Sequence, residues 1–127
     1  MSEVNLPEVV AEVEQAFHAY EAALMGNDVA ALSGFFWDSP HVTRYGIADR
    51  QWGAEALQDF RAATPAPDFT RVLEHLRVNS FGRDSAVAQV EFVRSDTALR
   101  GFQTQVWQRM DGKWTIVAAH VSMIDWP

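Results

Sequence analysis

Cysteine is missing from this chain of 127 residues. It can therefore hold no disulfide, thiol nucleophile or thiolate metal site. Basic residues are scarce as well: ten Lys and Arg stand against seventeen Asp and Glu, giving a net charge of −7. That balance argues against nucleic acid or an anionic membrane surface as the main partner. It leaves room for a small anion in a locally positive pocket. No apolar run is long enough to cross a bilayer. The opening MSEVNLPEVV carries acids and a proline, not a basic stretch followed by an apolar one. No secretion signal is expected, and a soluble cytoplasmic protein is. GxSxG, a phosphate-binding glycine loop, HExxH and paired histidines at metal-ligand spacing are also absent. The expectation is chemistry without metal or cofactor, or plain binding.

Apolar residues make up 48% of the chain, with eight Phe and five Trp, which excludes a disordered class. The length suits one domain spanning 1–127 with a core that needs no staples. Leu6, Val10, Val13, Phe17, Tyr20 and Leu24 recur every three or four residues and predict a first helix. Pro7 suits its first turn, and Gly26-Asn27 its stop. Asn27 or Asp28 can cap a short second helix with Val29, Leu32, Phe35 and Phe36 inward. HVTRYG, 41–46, reads as a short strand, and GAEALQDFRAA as a third helix closed by the two prolines of TPAPD. From Phe69 onward the pattern alternates. Four strands are expected, FTRVLEHLRVNSFG, SAVAQVEFVR, FQTQVWQRM and KWTIVAAHVSM, joined by loop chemistry. Helices followed by an antiparallel meander give an α+β class.

A two-residue turn at Asp111-Gly112 pairs Met110 with Lys113. Regular alternation then sets Trp107 opposite Ile116, Gln105 opposite Ala118 and Gln103 opposite His120. One face carries Trp107, Trp114, Ile116, Ala118, His120 and the two glutamines. The other carries Phe102, Thr104, Val106, Val117, Ala119 and Val121. Both are too apolar for water, so a homodimer through the sheet is expected.

Four places in the chain could carry chemistry. Tyr20 lies on the apolar stripe of the first helix, either as a core tyrosine or as a pocket hydroxyl that donates to a substrate oxygen. Arg44 shares strand parity with Val42 and should point to the concave side. There it either pairs with Glu21, Asp49 or Glu55, or clamps a carboxylate with its guanidinium fork. His120 on an apolar strand reads as a satisfied core residue or as a proton-transfer or substrate-binding group. Its shared face with Gln103 and Gln105 favours a polar pocket floor. Arg71, at the mouth of the first long strand, could reach a ligand. His18, His41 and His75 have no such company and are assigned to the surface or to caps.

These stretches carry a resemblance over almost the whole chain. The layout, ending in GKWTIVAAHVS, resembles the nuclear transport factor 2-like (NTF2-like, or SnoaL-like) superfamily. That resemblance implies a cone-shaped α+β fold, helices on a curved mixed or antiparallel sheet, usually dimeric, with a pocket between. YEAALMGNDVAALSGFFWDSPHVTRYG, GAEALQDFRAA, FGRD and AAHVSM together resemble the AtzH-like family, also called oxalurate catabolism protein HpxZ-like. This family resemblance implies a decarboxylating amidohydrolase acting on a carboxylated urea, or a role in purine-ring or oxalurate catabolism. It also implies that Tyr20 and Arg44 are the site residues. The chain departs from the family pattern at GFQTQ, where a basic GRQSQ is common, and at Thr64, where arginine is common. Parity puts Phe102 on the outer face, so the first change touches the dimer and not the pocket.

The expected function is a cofactor-free amidohydrolase for a small carboxylated urea or amide. Arg44 would clamp the carboxylate and Tyr20 would give or orient a proton. His120, Gln103, Gln105 and Arg71 would contact the substrate. Two alternatives stay open: a non-catalytic carboxylate-binding or accessory dimer for a partner amidase, and an enzyme of the polyketide cyclase or dehydratase kind. Carbon-acid isomerase chemistry fits less well, since the early strand offers His41, Thr43 and Arg44 where a carboxylate base is needed.

Overall fold

The computed structural model describes residues 3–127. In chain order the elements are α1 (Pro7–Met25), α2 (Val29–Phe35), β1 (Thr43–Tyr45), β2 (Arg50–Trp52), α3 (Ala54–Ala63), β3 (Arg71–Phe81), β4 (Ser85–Arg94), β5 (Arg100–Met110) and β6 (Lys113–Ile124). The strands form one sheet in the order β2-β1-β6-β5-β4-β3. Neighbours run antiparallel except β1 and β6, which are parallel, so the sheet is mixed. The class is α+β, with the helices on one face.

Local chemistry accounts for the helix ends. Pro7 opens α1, where its missing N–H would have no partner in any case. Asp28 caps α2 by accepting from the Ala31 amide at 3.2 Å. α1 turns Val9, Val13, Phe17 and Tyr20 inward, and Val9 in place of Val10 is the most buried member of its first turn. These side chains meet Leu32, Phe36 and Leu57 from the other helices and Ala86, Ala88, Val90, Trp107 and Ile116 from the sheet. Each large apolar side chain buried this way contributes roughly 1.5–3 kcal/mol.

The four long strands fall where the alternation predicts them, and Asp111 and Gly112 both take positive φ, as the tight hairpin requires. β2 is an addition: the three residues RQW pair back on β1, a strand too short for alternation to reveal. The β3–β4 register shifts between Glu74 and Arg77, and the β5–β6 register departs from regular alternation in one place. Met110 pairs with Lys113 and Trp107 with Ile116, but Val106 then faces Ala118. Val117 is the extra residue of a β-bulge, so two residues of β6 oppose one of β5. Beyond it every partner slips by one. Gln105 faces Ala119, not Ala118, and Gln103 faces Val121, not His120. Ala119 and Val121 therefore share the helix-side face with the glutamines, and His120 and Ala118 turn to the outer face. Phe102 keeps its outer position, where its ring meets Trp126 edge-on at 5.4 Å.

Candidate functional site

The helices do not cover the whole sheet. Between α1, α3, β1 and the later half of β6 lies a cavity of about 350 Å³, walled by apolar side chains and several arginines. Its floor at Ala119 and Val121 lies just past the bulge.

Arg44 enters from β1. It lies between Gln51 of β2 and Ala119 of β6, on the concave side as its parity predicts. Its Nη1 donates to Asp49 Oδ1 at 2.7 Å and to Gln51 Oε1 at 2.9 Å. Gln51 Nε2 closes the triangle by donating to the same Asp49 oxygen at 2.9 Å. Of the three acids expected as partners, Asp49 is the one that meets it. The turn from β1 to β2 makes this possible: the Gly46 amide bonds the Asp49 carbonyl, and any Cβ at Gly46 would overlap the Asp49 carboxylate. Phe60 lies under the guanidinium, its ring centre 4.9 Å from Cζ.

Tyr20 is 3% exposed, its ring held edge-on by Phe35 and Phe36. Its oxygen accepts a hydrogen bond from Arg61 Nη2 at 2.8 Å. Arg61, in the last turn of α3, is 5% exposed, and its Nε has no hydrogen-bond partner among the described residues. Burial lowers its proton affinity, as does nearby Arg44, with Tyr20 and Asp49 acting the other way. No described carboxylate forms an ion pair with it.

Arg71 is drawn off the solvated edge of β3 into the cavity wall. Its Nη2 donates to Gln103 Oε1 at 3.0 Å, and its Cζ sits 4.0 Å from the Phe92 ring centre. That ring can lie there because Gly101 has no Cβ to strike it. Arg71 Nε is 3.0 Å from Glu21 Oε2, but the N–H points off the line, so this is a charge contact and not a directed bond. Burial raises the Glu21 carboxyl above the ordinary carboxylate value near 4.5, and Arg71 works against that rise. Burial likewise lowers the proton affinity of Arg71, with Glu21 opposing.

Tyr20, Arg44, Arg71 and Gln103 thus line one cavity. His120 reaches only its rim, exposed, with its ring against Tyr45 at 5.7 Å. Gln105 is 1% exposed and stays in the core, where its Oε1 accepts from the Trp107 indole at 3.0 Å. Thr64 lies on the wall, its hydroxyl turned back onto the Phe60 carbonyl at 2.6 Å. Arg61 and Gln51 are not among the residues that pattern and motif single out. Arg61 follows buried Leu57 by four residues, so helical period alone puts it on the inward face. Gln51 has no such signal, because β2 is invisible as a pattern. Among the described residues no group of three or more His, Asp or Glu is placed to hold a metal ion.

A curved mixed sheet with helices on one face and a cavity between them is the architecture of NTF2-like, or cystatin-like, proteins. An NTF2-like superfamily protein from Salmonella enterica serovar Typhimurium shares this fold at 21% identity, with a TM-score of 0.74 over 94% of this chain and 93% of that one. The chain belongs to the AtzH-like family, whose model matches residues 2–127. A cystatin-like fold protein from Burkholderia xenovorans LB400 is 44% identical over the full length of both chains, with a TM-score of 0.95. A DUF3225-family protein of unknown function from Pectobacterium atrosepticum is 42% identical, with a TM-score of 0.93 over 96% of this chain and 95% of that one. No curated protein matches.

Proposed function

We propose that this protein is a cofactor-free amidohydrolase for a small carboxylated urea or amide. The observation that carries the reading is the one-sided use of Arg44. Both of its hydrogen bonds to described residues leave from Nη1, so Nε and Nη2 remain for a ligand carboxylate beside a pair already fixed by Asp49 and Gln51. The clamp sets the amide carbonyl against Tyr20. Water adds to the carbonyl carbon, the C–N bond breaks, and the departing nitrogen takes a proton while the water loses one. Tyr20 donates to the carbonyl oxygen as negative charge builds there. Asp49, with Oδ1 held by two donors, offers Oδ2 to take the proton from the water and return it to the departing nitrogen. From a carboxylated urea the product is a carbamate, which releases carbon dioxide. Arg71 and Gln103 bound the far side of the same space. The outer sheet face, with Phe102, Thr104, Val106 and exposed Val72 and Ile124, is proposed to pair with a second copy, and a monomeric mass in solution would remove that part.

The test is a thermal-shift screen of small carboxylates, carboxylated ureas and oxalurate, with ammonia release measured on every compound that binds. A ligand at a hundred times its dissociation constant stabilises by about 2.7 kcal/mol. Stabilisation of the wild type but not of Arg44→Ala, with ammonia release, is the expected result. Binding without turnover would instead make this an accessory carboxylate binder, and no carboxylate binding would remove Arg44 as a clamp.

A further inference from the structure

Arg61 is a buried guanidinium whose one directed partner among the described residues is a phenol. Burying a charge this way is expensive unless something is gained. The gain follows from which atoms can donate. Arg61 has no acceptor atom, so in its contact with Tyr20 the phenol oxygen must accept. The phenol hydrogen then has to point elsewhere. Phe35 and Phe36 flank the ring and offer no acceptor oxygen or nitrogen. No described residue accepts from the Tyr20 hydroxyl, and the space it borders is the cavity.

We propose that Arg61 is a positioning residue: by occupying the Tyr20 oxygen as a donor, it turns the phenol hydrogen into the cavity and fixes Tyr20 as a one-way donor. The group that sits before Tyr20 in a ligand is then an acceptor, a carbonyl or carboxylate oxygen, and not an N–H. This rests on the reading of the cavity as a carboxylate and amide site, and it adds the polarity of the contact. It also gives the missing counter-ion a purpose. A carboxylate on Arg61 would draw the guanidinium away and cancel its field at the phenol. The charged groups around the pair are Arg44 and Asp49 from the β1–β2 side, Arg71 from β3 and Glu21 from α1 itself. Asp49 and Glu21 are engaged by Arg44 and Arg71.

The experiment is a double-mutant cycle read by calorimetric binding of oxamate, a small carboxylate bearing an amide. Tyr20→Phe is expected to weaken oxamate roughly tenfold in the wild-type background and less than about twofold in Arg61→Met. Arg61→Lys, which keeps a donor, is expected to restore most of the Tyr20 effect, which a purely structural tether would not do. Equal losses in both backgrounds would overturn the proposal. The chain has two tyrosines, so a ring-labelled sample gives two Cζ resonances, and the Tyr20 signal of the ligand-free protein is expected to move in Arg61→Met. If oxamate does not bind, that resonance decides, and a Tyr20 signal unmoved in folded Arg61→Met overturns the proposal. If Arg61→Met does not fold, the wild type decides: a Tyr20 resonance blind to saturating oxamate overturns it. Coupling without turnover would leave this inference standing and remove the hydrolase. Turnover with additive losses would do the reverse.

Discussion

Arginines gather at two places in this molecule, under opposite conditions. Near the β3–β4 turn, Arg83 and Arg109 stand among Glu3, Glu8, Glu12 and Asp84, so the acids outnumber the cations. Arg109 there meets Glu12, Asp84 and the Arg83 carbonyl, and its guanidinium lies over Trp114. Around the cavity, Arg44, Arg61 and Arg71 have two ion-pair partners among the described residues, Asp49 and Glu21. They are also far less exposed. The same side chain therefore does two jobs. Outnumbered by acids in water, it ties chain segments together. Enclosed with too few acids, it keeps donors in reserve.

Breaking the enclosed cluster should produce the largest effects. Arg44→Ala is expected to lower turnover of a responsive carboxylated substrate by about two to four powers of ten, measured as kcat/KM beside an unchanged melting profile. Gly101→Ala comes next. Its methyl would strike the buried Phe92 ring that supports Arg71, and overpacking of this kind costs about 1–3 kcal/mol. Urea unfolding reads that loss, and a weaker carboxylate titration reads the displaced Arg71.

A subtler comparison uses pH. The Glu21 carboxyl is raised by burial, so the folded chain holds that proton more tightly than the unfolded chain does. Its contribution to stability is complete below about pH 4.5 and is lost as pH rises through the folded-state value. Glu12 runs the other way. The Trp114 indole, and then Arg109, hold it below its ordinary value, so its contribution is lost as pH falls. Glu21→Gln is expected to flatten the loss on the rising side while leaving the acid limb intact, as checked by unfolding at a series of pH values. The smallest effect is expected from Arg109→Ala: a slight fall in Tm and no change in carboxylate affinity. A weakened ligand in that variant would show that the two clusters communicate.

Legibility in the sequence follows the same division. The long strands, the Asp111-Gly112 hairpin and the inward face of α1 could be read because alternation, turn chemistry and helical period are local signals. Tyr20 and Arg44 could be placed on inward faces for the same reason. Their partners could not. Arg61 reads as the polar end of a helix until its spacing from Leu57 is weighed, and its meeting with Tyr20 spans 41 positions of chain. Asp49 could be named as one of three acids, but only the fold of the β1–β2 turn selects it. Alternation carried straight through VAAH puts His120 on the polar floor. Nothing in three small apolar residues announces a bulge.

That bulge separates the shape of the site from its chemistry. Before Val117, β6 packs beneath the helices through Trp114 and Ile116; after it, the inward residues Ala119 and Val121 floor the cavity. Removing Val117 alone would leave every later residue on the side it now occupies, since the extra residue and not the register would disappear. Arg44, Arg61 and Tyr20 would keep their places while the strand straightened toward them. The volume offered to a ligand is thus set by a residue that need never touch one, and it can be tuned without rewriting a single charge.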